Sequence, residues 1–183
     1  MKELIQLFTQ IALLRRGPQD VPASLLLLGI TIIGYFGVNF LVNSLMPPAL
    51  HGPAASSAAL QAWPAHLAVD VVFTLVWYVV LLRLAGRSER TLQTTTAVFG
   101  FQAVLSPLVV VSEWLMLRFA QDTTWQLPVA LMWLMLLIWV IAANSHVVKA
   151  ALEWSSAASV ALVILQFLAG QLVLFALFPV PNA

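Results

Sequence analysis

Five long runs of apolar residues, separated by short polar segments, make up most of this chain. The hydrocarbon core of a bilayer is about 30 Å thick, so a helix needs about 20 apolar residues to cross it. Five runs meet that length, at residues 21–46, 64–84, 92–119, 127–148 and 154–178. Charged residues are only 8% of the 183 residues, whereas a soluble domain carries about 25%. The sequence therefore predicts an all-α fold, a polytopic transmembrane bundle of five helices.

Residues 1–20 precede the first run and have a different pattern. Their apolar side chains recur at helical spacing on one face; these are Leu4, Ile5, Phe8, Ile11 and Ala12. The sequence predicts a short amphipathic helix in a cytoplasmic arm, followed by a transmembrane domain over residues 21–183. Two placements stay open: the helix lies in the membrane interface with Arg15 and Arg16 near anionic headgroups, or it packs as a cytoplasmic helix.

The basic residues are divided unevenly between the two sides of the predicted bundle. Seven of the eight fall on one side, namely Lys2, Arg15, Arg16, Arg83, Arg87, Arg90 and Lys149. Arg118 falls on the other side. Because cytoplasmic loops carry an excess of Lys and Arg, we expect a cytoplasmic N-terminus and a C-terminus on the far side. The expected location is a bacterial inner membrane.

Two carboxylates, Asp70 and Glu113, lie inside predicted spans, each roughly 9 Å below the far-side interface by helical rise. Carboxylates are costly inside a membrane and mark a candidate functional site. In one interpretation they share a proton or bind a cation or cationic ligand. In the other, Asp70 pairs with His66 or Arg118, and Glu113 reaches water. The partners within reach are Arg118, His66 and His51, and Arg118 is expected to neutralise the two carboxylates.

Amides and glycines in the spans are interpreted mainly as packing groups, because such residues hold helices together in lipid. Asn39 and Asn43 are four positions apart on one face of the first span, which also carries Gly34 and Gly37. The same interpretation covers Gln102, Gln166, Gln171, Gly100 and Gly170. The candidate intramembrane polar cluster combines the two carboxylates, two of their possible partners and the two asparagines, namely Asp70, Glu113, Arg118, His66, Asn39 and Asn43.

The composition excludes several chemistries. The chain has no cysteine, which removes disulfides, cysteine-ligated metals and thiol catalysis. Its three histidines lack metal-ligand spacing, and Ser44, Ser106 and Ser112 have no nearby histidine at a helical offset. The net charge of +1 and the absence of a basic stripe argue against a nucleic-acid partner. We expect no catalytic residues, no cofactor and no metal; a lipid-modifying enzyme is the least supported alternative.

Residues 13–20, with the sequence LLRRGPQD, lead directly into the first span. Together with five spans, short connections and a short C-terminal tail, this Gly-Pro element resembles the Yip family of small polytopic membrane proteins, in its bacterial form. The resemblance implies a non-enzymatic membrane organiser or assembly partner and assigns no catalytic residues.

Two functions follow from these observations. The first is a non-enzymatic organiser, assembly factor or accessory subunit of a membrane complex. Its partners would be membrane lipids and either other membrane proteins or further copies of the chain, because almost no water-exposed domain is available for contacts. The alternative is a small transporter or channel subunit with a polar layer at Asp70 and Glu113.

Overall fold

The computed structural model describes residues 2–45, 57–120 and 122–178, and only the backbone of residues 57–63. These residues form helices joined by turns, and no strand occurs among them. The helices are α1 (Lys2–Ala12), α2 (Leu25–Leu45), α3 (Ser57–Leu84), α4 (Thr91–Arg118), α5 (Gln126–Leu152) and α6 (Ser156–Leu177). His51, one of the predicted partners of the carboxylates, lies outside the described residues.

Helices α2 to α6 contain the five segments that are long and apolar enough to cross a membrane. The all-α fold, the five spans and the short N-terminal helix are therefore confirmed, and the chain is an integral membrane protein. Some helix ends differ from the predicted bounds. The fourth predicted span stopped at residue 148, whereas α5 continues for about one more turn, to Leu152, and α3 begins at Ser57 rather than at residue 64. The side chain of Asn144 in α5 accepts a hydrogen bond from α3, which keeps this part of α5 inside the bundle.

The two ends of the bundle differ in their charged groups. Arg90, between α3 and α4, donates to the carbonyl oxygens of Ala150 and Ala151 at 3.2 and 3.1 Å. The α3–α4 and α5–α6 connections therefore lie at the same end, which we call the basic end because it carries Arg87, Arg90 and Lys149. We call the opposite end, where α4 finishes at Arg118, the far end.

The connection between α5 and α6 depends on Glu153. This residue adopts a left-handed backbone conformation, with φ of 59°, at the end of α5, which most L-residues avoid. Its carboxylate receives hydrogen bonds from Arg87 at 2.6 Å and Arg90 at 2.7 Å. The hydrogen bond from Arg90 and the positive charge of Arg87 lower the pKa of Glu153. The two guanidinium groups thus link the α3–α4 connection to this turn.

Helix α4 lies at the centre of the fold and contacts α1, α2, α3 and α5. Contacts also join α5 to α6 and α6 to α3. Helices α3, α4, α5 and α6 therefore form a closed ring. Phe73 of α3 packs against Gly170 of α6, where an added Cβ would be 3.3 Å from the phenyl ring. Helix α2 packs outside the ring against α4, with the rings of Tyr35 and Phe99 5.8 Å apart.

Helix α1 packs against α4 and α5. Its buried residues are Leu7, Phe8, Ile11 and Ala12, whereas Ile5, which was expected on the apolar face, is exposed. The indole nitrogen of Trp139 donates to the carbonyl oxygen of Ala12 at 2.8 Å. These contacts show that α1 packs against the bundle.

A glycine in α4 makes the close approach of α1 possible. The ring of Phe8 lies where a Cβ on Gly100 would be, so any larger residue at this position would overlap the ring. The packing interpretation of Gly100 and Gly170 is thus confirmed. Gly34 and Gly37 of α2 differ, because an added Cβ on either would have no atom within 4 Å. The prediction that these two glycines pack helices together is therefore wrong for the described part of this chain.

Candidate intramembrane binding site

A cavity of about 420 Å³ occupies the centre of the ring formed by α3, α4, α5 and α6. Its walls are mainly apolar, and its polar side chains include two carboxylates and four amides, namely Asp70, Glu113, Gln102, Asn144, Gln166 and Gln171. The volume lies within the range of small-molecule sites, and a mainly apolar wall with few polar groups is typical of them. This cavity is therefore the candidate functional site.

Asp70 and Glu113 both line this cavity, although they come from different helices. Asp70 is half-buried and accepts a hydrogen bond of 3.4 Å from the hydroxyl of Tyr35. The side chain of Glu113 is exposed, five positions before the end of α4. Among the described residues the only ion pairs are those of Glu153 with Arg87 and Arg90. The two carboxylates thus face the cavity without a protein cation from this part of the chain.

The expected partners of the carboxylates lie elsewhere. Arg118 is exposed at the last position of α4 and forms no ion pair within the described segments, so its predicted neutralisation of Asp70 and Glu113 was wrong there. The imidazole of His66 packs edge-on against Phe178, with ring centroids 4.0 Å apart, and its Nε2 is buried without a hydrogen-bond partner in the described structure. Neither residue lines the cavity.

Asn39 and Asn43 serve the packing of α2 rather than the cavity. The amide nitrogen of Asn39 donates to the hydroxyl of Ser106 in α4 at 3.0 Å and to the carbonyl oxygen of Tyr35 at 2.8 Å. The amide of Asn43 donates to the carbonyl oxygen of Asn39 at 2.9 Å. The packing interpretation of Asn39 is confirmed, since its bond joins two helices. Neither asparagine belongs to the site.

Sequence reasoning missed the amides that complete the site. Gln102 and Gln166 were interpreted as packing groups, yet both line the cavity, and the carbonyl oxygen of each is buried without a hydrogen-bond partner in the described structure. One signal was available in α4: residues 102, 109 and 113 recur at helical spacing on one face. No comparable signal connects α4 to the amides of α5 and α6, because that connection depends on which helices are neighbours.

A buried hydrogen bond lies at the part of the cavity wall nearest the basic end. Tyr78 of α3 is fully buried, and its hydroxyl donates to the side-chain oxygen of Asn144 in α5 at 3.1 Å. Further towards the basic end, Leu82 and Val147 are also fully buried. The cavity is therefore sealed at this end by packed side chains, whereas Glu113 lies in its far-end half.

The two carboxylates of the cavity wall accept hydrogen bonds and have no protein cation beside them among the described residues, whereas each amide offers donors as well as an acceptor. A solute that carries positive charge would complement the carboxylates. Among the described residues, no group of three or more His, Cys, Asp or Glu side chains is arranged to hold a metal ion.

Comparisons with known proteins do not assign the chain to a family. No family model matches it, and neither a curated protein nor a solved structure does so. Any functional assignment therefore depends on the cavity and on the surfaces of the helices.

Proposed function

We propose that this chain is a non-enzymatic integral membrane protein that binds a small cationic solute in its central cavity, as a small transporter or channel subunit. The observation that carries the proposal is the placement of Asp70 and Glu113 in one cavity without a protein cation among the described residues. A solute cation would supply the missing positive charge.

The energetic argument concerns the cost of carboxylates in a membrane. A charged aspartate at the centre of a spanning helix costs about 2.5–3.5 kcal/mol on insertion scales, and such groups usually face a cavity or a partner. Asp70 has only one neutral donor, Tyr35, in the described structure. A bound cation would offset this cost, and loss of the carboxylate charge would weaken its binding.

The proposal includes an orientation and a location. The basic end carries Arg87, Arg90 and Lys149, and positive loops usually face the cytoplasm. We therefore place the N-terminus in the cytoplasm and the C-terminus on the far side of a bacterial inner membrane. With this orientation, the far-end half of the cavity, which contains Glu113, faces away from the cytoplasm.

The proposal also assigns no catalysis to the cavity. Ser112 is the serine in its wall, and its hydroxyl donates to the carbonyl oxygen of Val109 at 2.7 Å. This bond directs the hydroxyl to the backbone of its own helix, and no side-chain base bonds to it within the described residues. Binding and release of a solute require no such pair.

Flux through reconstituted protein tests the proposal. The full chain is reconstituted into the bilayer of liposomes that hold an inside-negative potential. Uptake of rubidium, methylammonium and putrescine is then compared with uptake into protein-free liposomes. We expect protein-dependent uptake of at least one of these cations. Uptake of none of them above the protein-free rate would contradict the proposal.

A second candidate is an organiser or accessory subunit that contacts other membrane proteins or further copies of itself, with lipids around it. Gly34 and Gly37 favour it, because they are exposed on α2 with open space beside them. Small residues let helices approach closely in lipid. The resemblance of residues 13–20 to the Yip family supports the same role, and kinship with that family is part of this second proposal.

Substitution of both glycines tests the second candidate. Gly34→Leu with Gly37→Leu is expected to convert an assembly in mild detergent into single chains, measured by native mass spectrometry, because leucines would keep a partner helix away. Ala161→Leu, at an exposed site on α6, is the control and should leave the assembly unchanged. A wild-type chain that already runs as a monomer would count against the organiser.

A further inference from the structure

The segment that follows α1 is fixed to α5 by two hydrogen bonds. The indole nitrogen of Trp139 donates to the carbonyl oxygen of Ala12 at 2.8 Å. The imidazole Nε2 of His146 lies 3.1 Å from the carbonyl oxygen of Arg16, and an imidazole that carries a proton on this nitrogen donates such a bond. Because Trp139 and His146 both belong to α5, residues 12–16 follow this helix towards the basic end.

A turn between these two bonds exposes two leucines. Leu14 has a left-handed backbone conformation, with φ of 60°, and the amide of Arg15 donates to the carbonyl oxygen of Gln10 at 2.9 Å. A bond of this kind closes the end of a helix. The side chains of Leu13 and Leu14 remain 42% and 43% exposed. Apolar side chains at the edge of a transmembrane bundle suit contact with acyl chains.

Three basic side chains come together beside this turn. Lys149 is three positions after His146, so the two share one face of α5, and its ammonium group donates to the hydroxyl of Ser156 at 2.9 Å. The bond between His146 and Arg16 brings Arg15 and Arg16 to the same face. All three basic residues are exposed. We call Arg15, Arg16 and Lys149 the basic patch.

No carboxylate forms an ion pair with the basic patch in the part of the chain that the structure describes. Glu153 is one turn after Lys149, but its carboxylate pairs with Arg87 and Arg90. Asp20 is close to the two arginines in sequence, and its carboxylate accepts a hydrogen bond from the backbone amide of Gly17 at 3.1 Å. The patch therefore presents positive charge that an anion from outside the chain can neutralise.

We propose that the basic patch, positioned by His146, binds the phosphate headgroup of an anionic phospholipid, with Leu13 and Leu14 against its acyl chains. Five helices are long and apolar enough to cross a membrane, so lipids surround the bundle. Arginine binds phosphate oxygens through two parallel N–H groups. A soluble phosphate would match the charge but leave both leucines in water. This site is separate from the cavity and does not depend on its solute.

The level of the patch along the bundle also fits a headgroup. The apolar run of α5 gives way at residues 144–146 to Asn, Ser and His, and Lys149 follows within one turn. Polar residues at the end of an apolar run suit the boundary between acyl chains and headgroups. Basic residues at this boundary attract anionic lipids.

Native mass spectrometry of the full chain in mild detergent, titrated with lipid, tests the inference. The probes are dioleoyl phosphatidylglycerol, dioleoyl phosphatidylcholine and glycerol phosphate. We expect the first phosphatidylglycerol to bind at least about tenfold more tightly than phosphatidylcholine, since each basic residue contributes about fivefold. Equal affinities for the two lipids would overturn the inference. Glycerol phosphate at the concentration of the lipid should not displace it, and displacement would replace the lipid with a soluble phosphate.

Charge substitutions locate the lipid. Arg16→Gln and Lys149→Gln should each weaken the binding of phosphatidylglycerol about fivefold. Arg83→Gln is the matched control at the same end of the bundle, because Arg83 is exposed on α3, across the ring from α5. This control should keep the affinity of the wild type. An equal loss in all three variants would show that the charge of the whole end attracts the lipid, and the site would be overturned.

Replacement of His146 tests whether its bond to Arg16 positions the patch. At about pH 8, where an imidazole is ordinarily neutral, His146→Leu removes the N–H donor without a loss of charge. We expect it to weaken phosphatidylglycerol as much as Arg16→Gln does. His146→Gln retains a donor and should keep the affinity of the wild type. Full affinity in the leucine variant, or equal losses in the two variants, would overturn the role of His146. Melting temperatures without lipid establish that each variant is folded.

Discussion

A variant with both Asp70→Asn and Glu113→Gln is expected to fold and to lose at least about tenfold of its cation uptake in liposomes, because a charge-assisted hydrogen bond is worth about 1.5–3 kcal/mol. The substitutions keep the size of each side chain and remove the negative charge that would attract the solute. The amides can still hydrogen-bond within the cavity, and loss of two intramembrane charges removes a cost of insertion. The free energy of unfolding of the double variant should therefore stay the same or increase.

The matched control for this prediction is Glu89→Gln, which removes one carboxylate from the basic end. Glu89 is exposed in the short connection between α3 and α4 and lies outside the cavity, so uptake should equal that of the wild type. The single variants Asp70→Asn and Glu113→Gln show how much of the loss of cation uptake each carboxylate accounts for. Full uptake by a folded double variant would show that the cavity charges do not serve transport.

The substitution Gly100→Ala is expected to give the largest loss of stability among changes of a single methyl group. Its Cβ would overlap the ring of Phe8, so α1 or the ring has to move. Overpacking of this kind costs about 1–3 kcal/mol. Phe8 belongs to the main buried apolar cluster, together with Ile11, Tyr78 and Val147. A displaced ring would therefore disturb contacts in α4 and α5 as well as in α1.

Thermal unfolding in detergent, followed by circular dichroism, measures this effect. Gly34→Ala is the control because open space surrounds that glycine, and alanine is favoured over glycine in a helix by about 1 kcal/mol. Adding Phe8→Leu to Gly100→Ala should recover part of the loss, since the smaller side chain leaves room for the methyl group. Equal melting temperatures for the two glycine variants would contradict the packing of α1 against α4.

The membrane-spanning helices were predictable because their signal is local. Each run of apolar residues is long enough on its own to specify a span, and turns or polar residues mark where it stops. The predicted and observed helix ends differ where a helix packs against its neighbours. The fourth predicted span stopped at residue 148, whereas α5 continues to Leu152, and a helix with a partner around it tolerates the polar residues near Asn144.

The site was only partly predictable for the same reason. Asp70 and Glu113 stand out because a carboxylate is rare in an apolar run. Gln102 and Gln166 do not, since isolated amides in membrane helices usually serve packing. The sequence does not reveal that α6 closes a ring against α3, and this closure turns two apparent packing amides into parts of a cavity wall. Arg118 was predicted to pair with the two carboxylates because it is close to Glu113 in the sequence. In the structure it is the last residue of α4 and forms no ion pair with the described residues.

Thiol labelling is the most direct test of a polar, water-accessible cavity inside the membrane. The chain has no cysteine, so each introduced cysteine is the only thiol. Val109 lines the cavity, and its neighbour Leu108 lies at the same depth of α4, 54% exposed on the outer surface of the bundle. A thiol reacts as the thiolate, which requires water. We predict that a charged, membrane-impermeant reagent added from the far side modifies Val109→Cys and leaves Leu108→Cys unmodified. Equal labelling of the two variants, or labelling of neither, would contradict a water-accessible cavity at the centre of the ring.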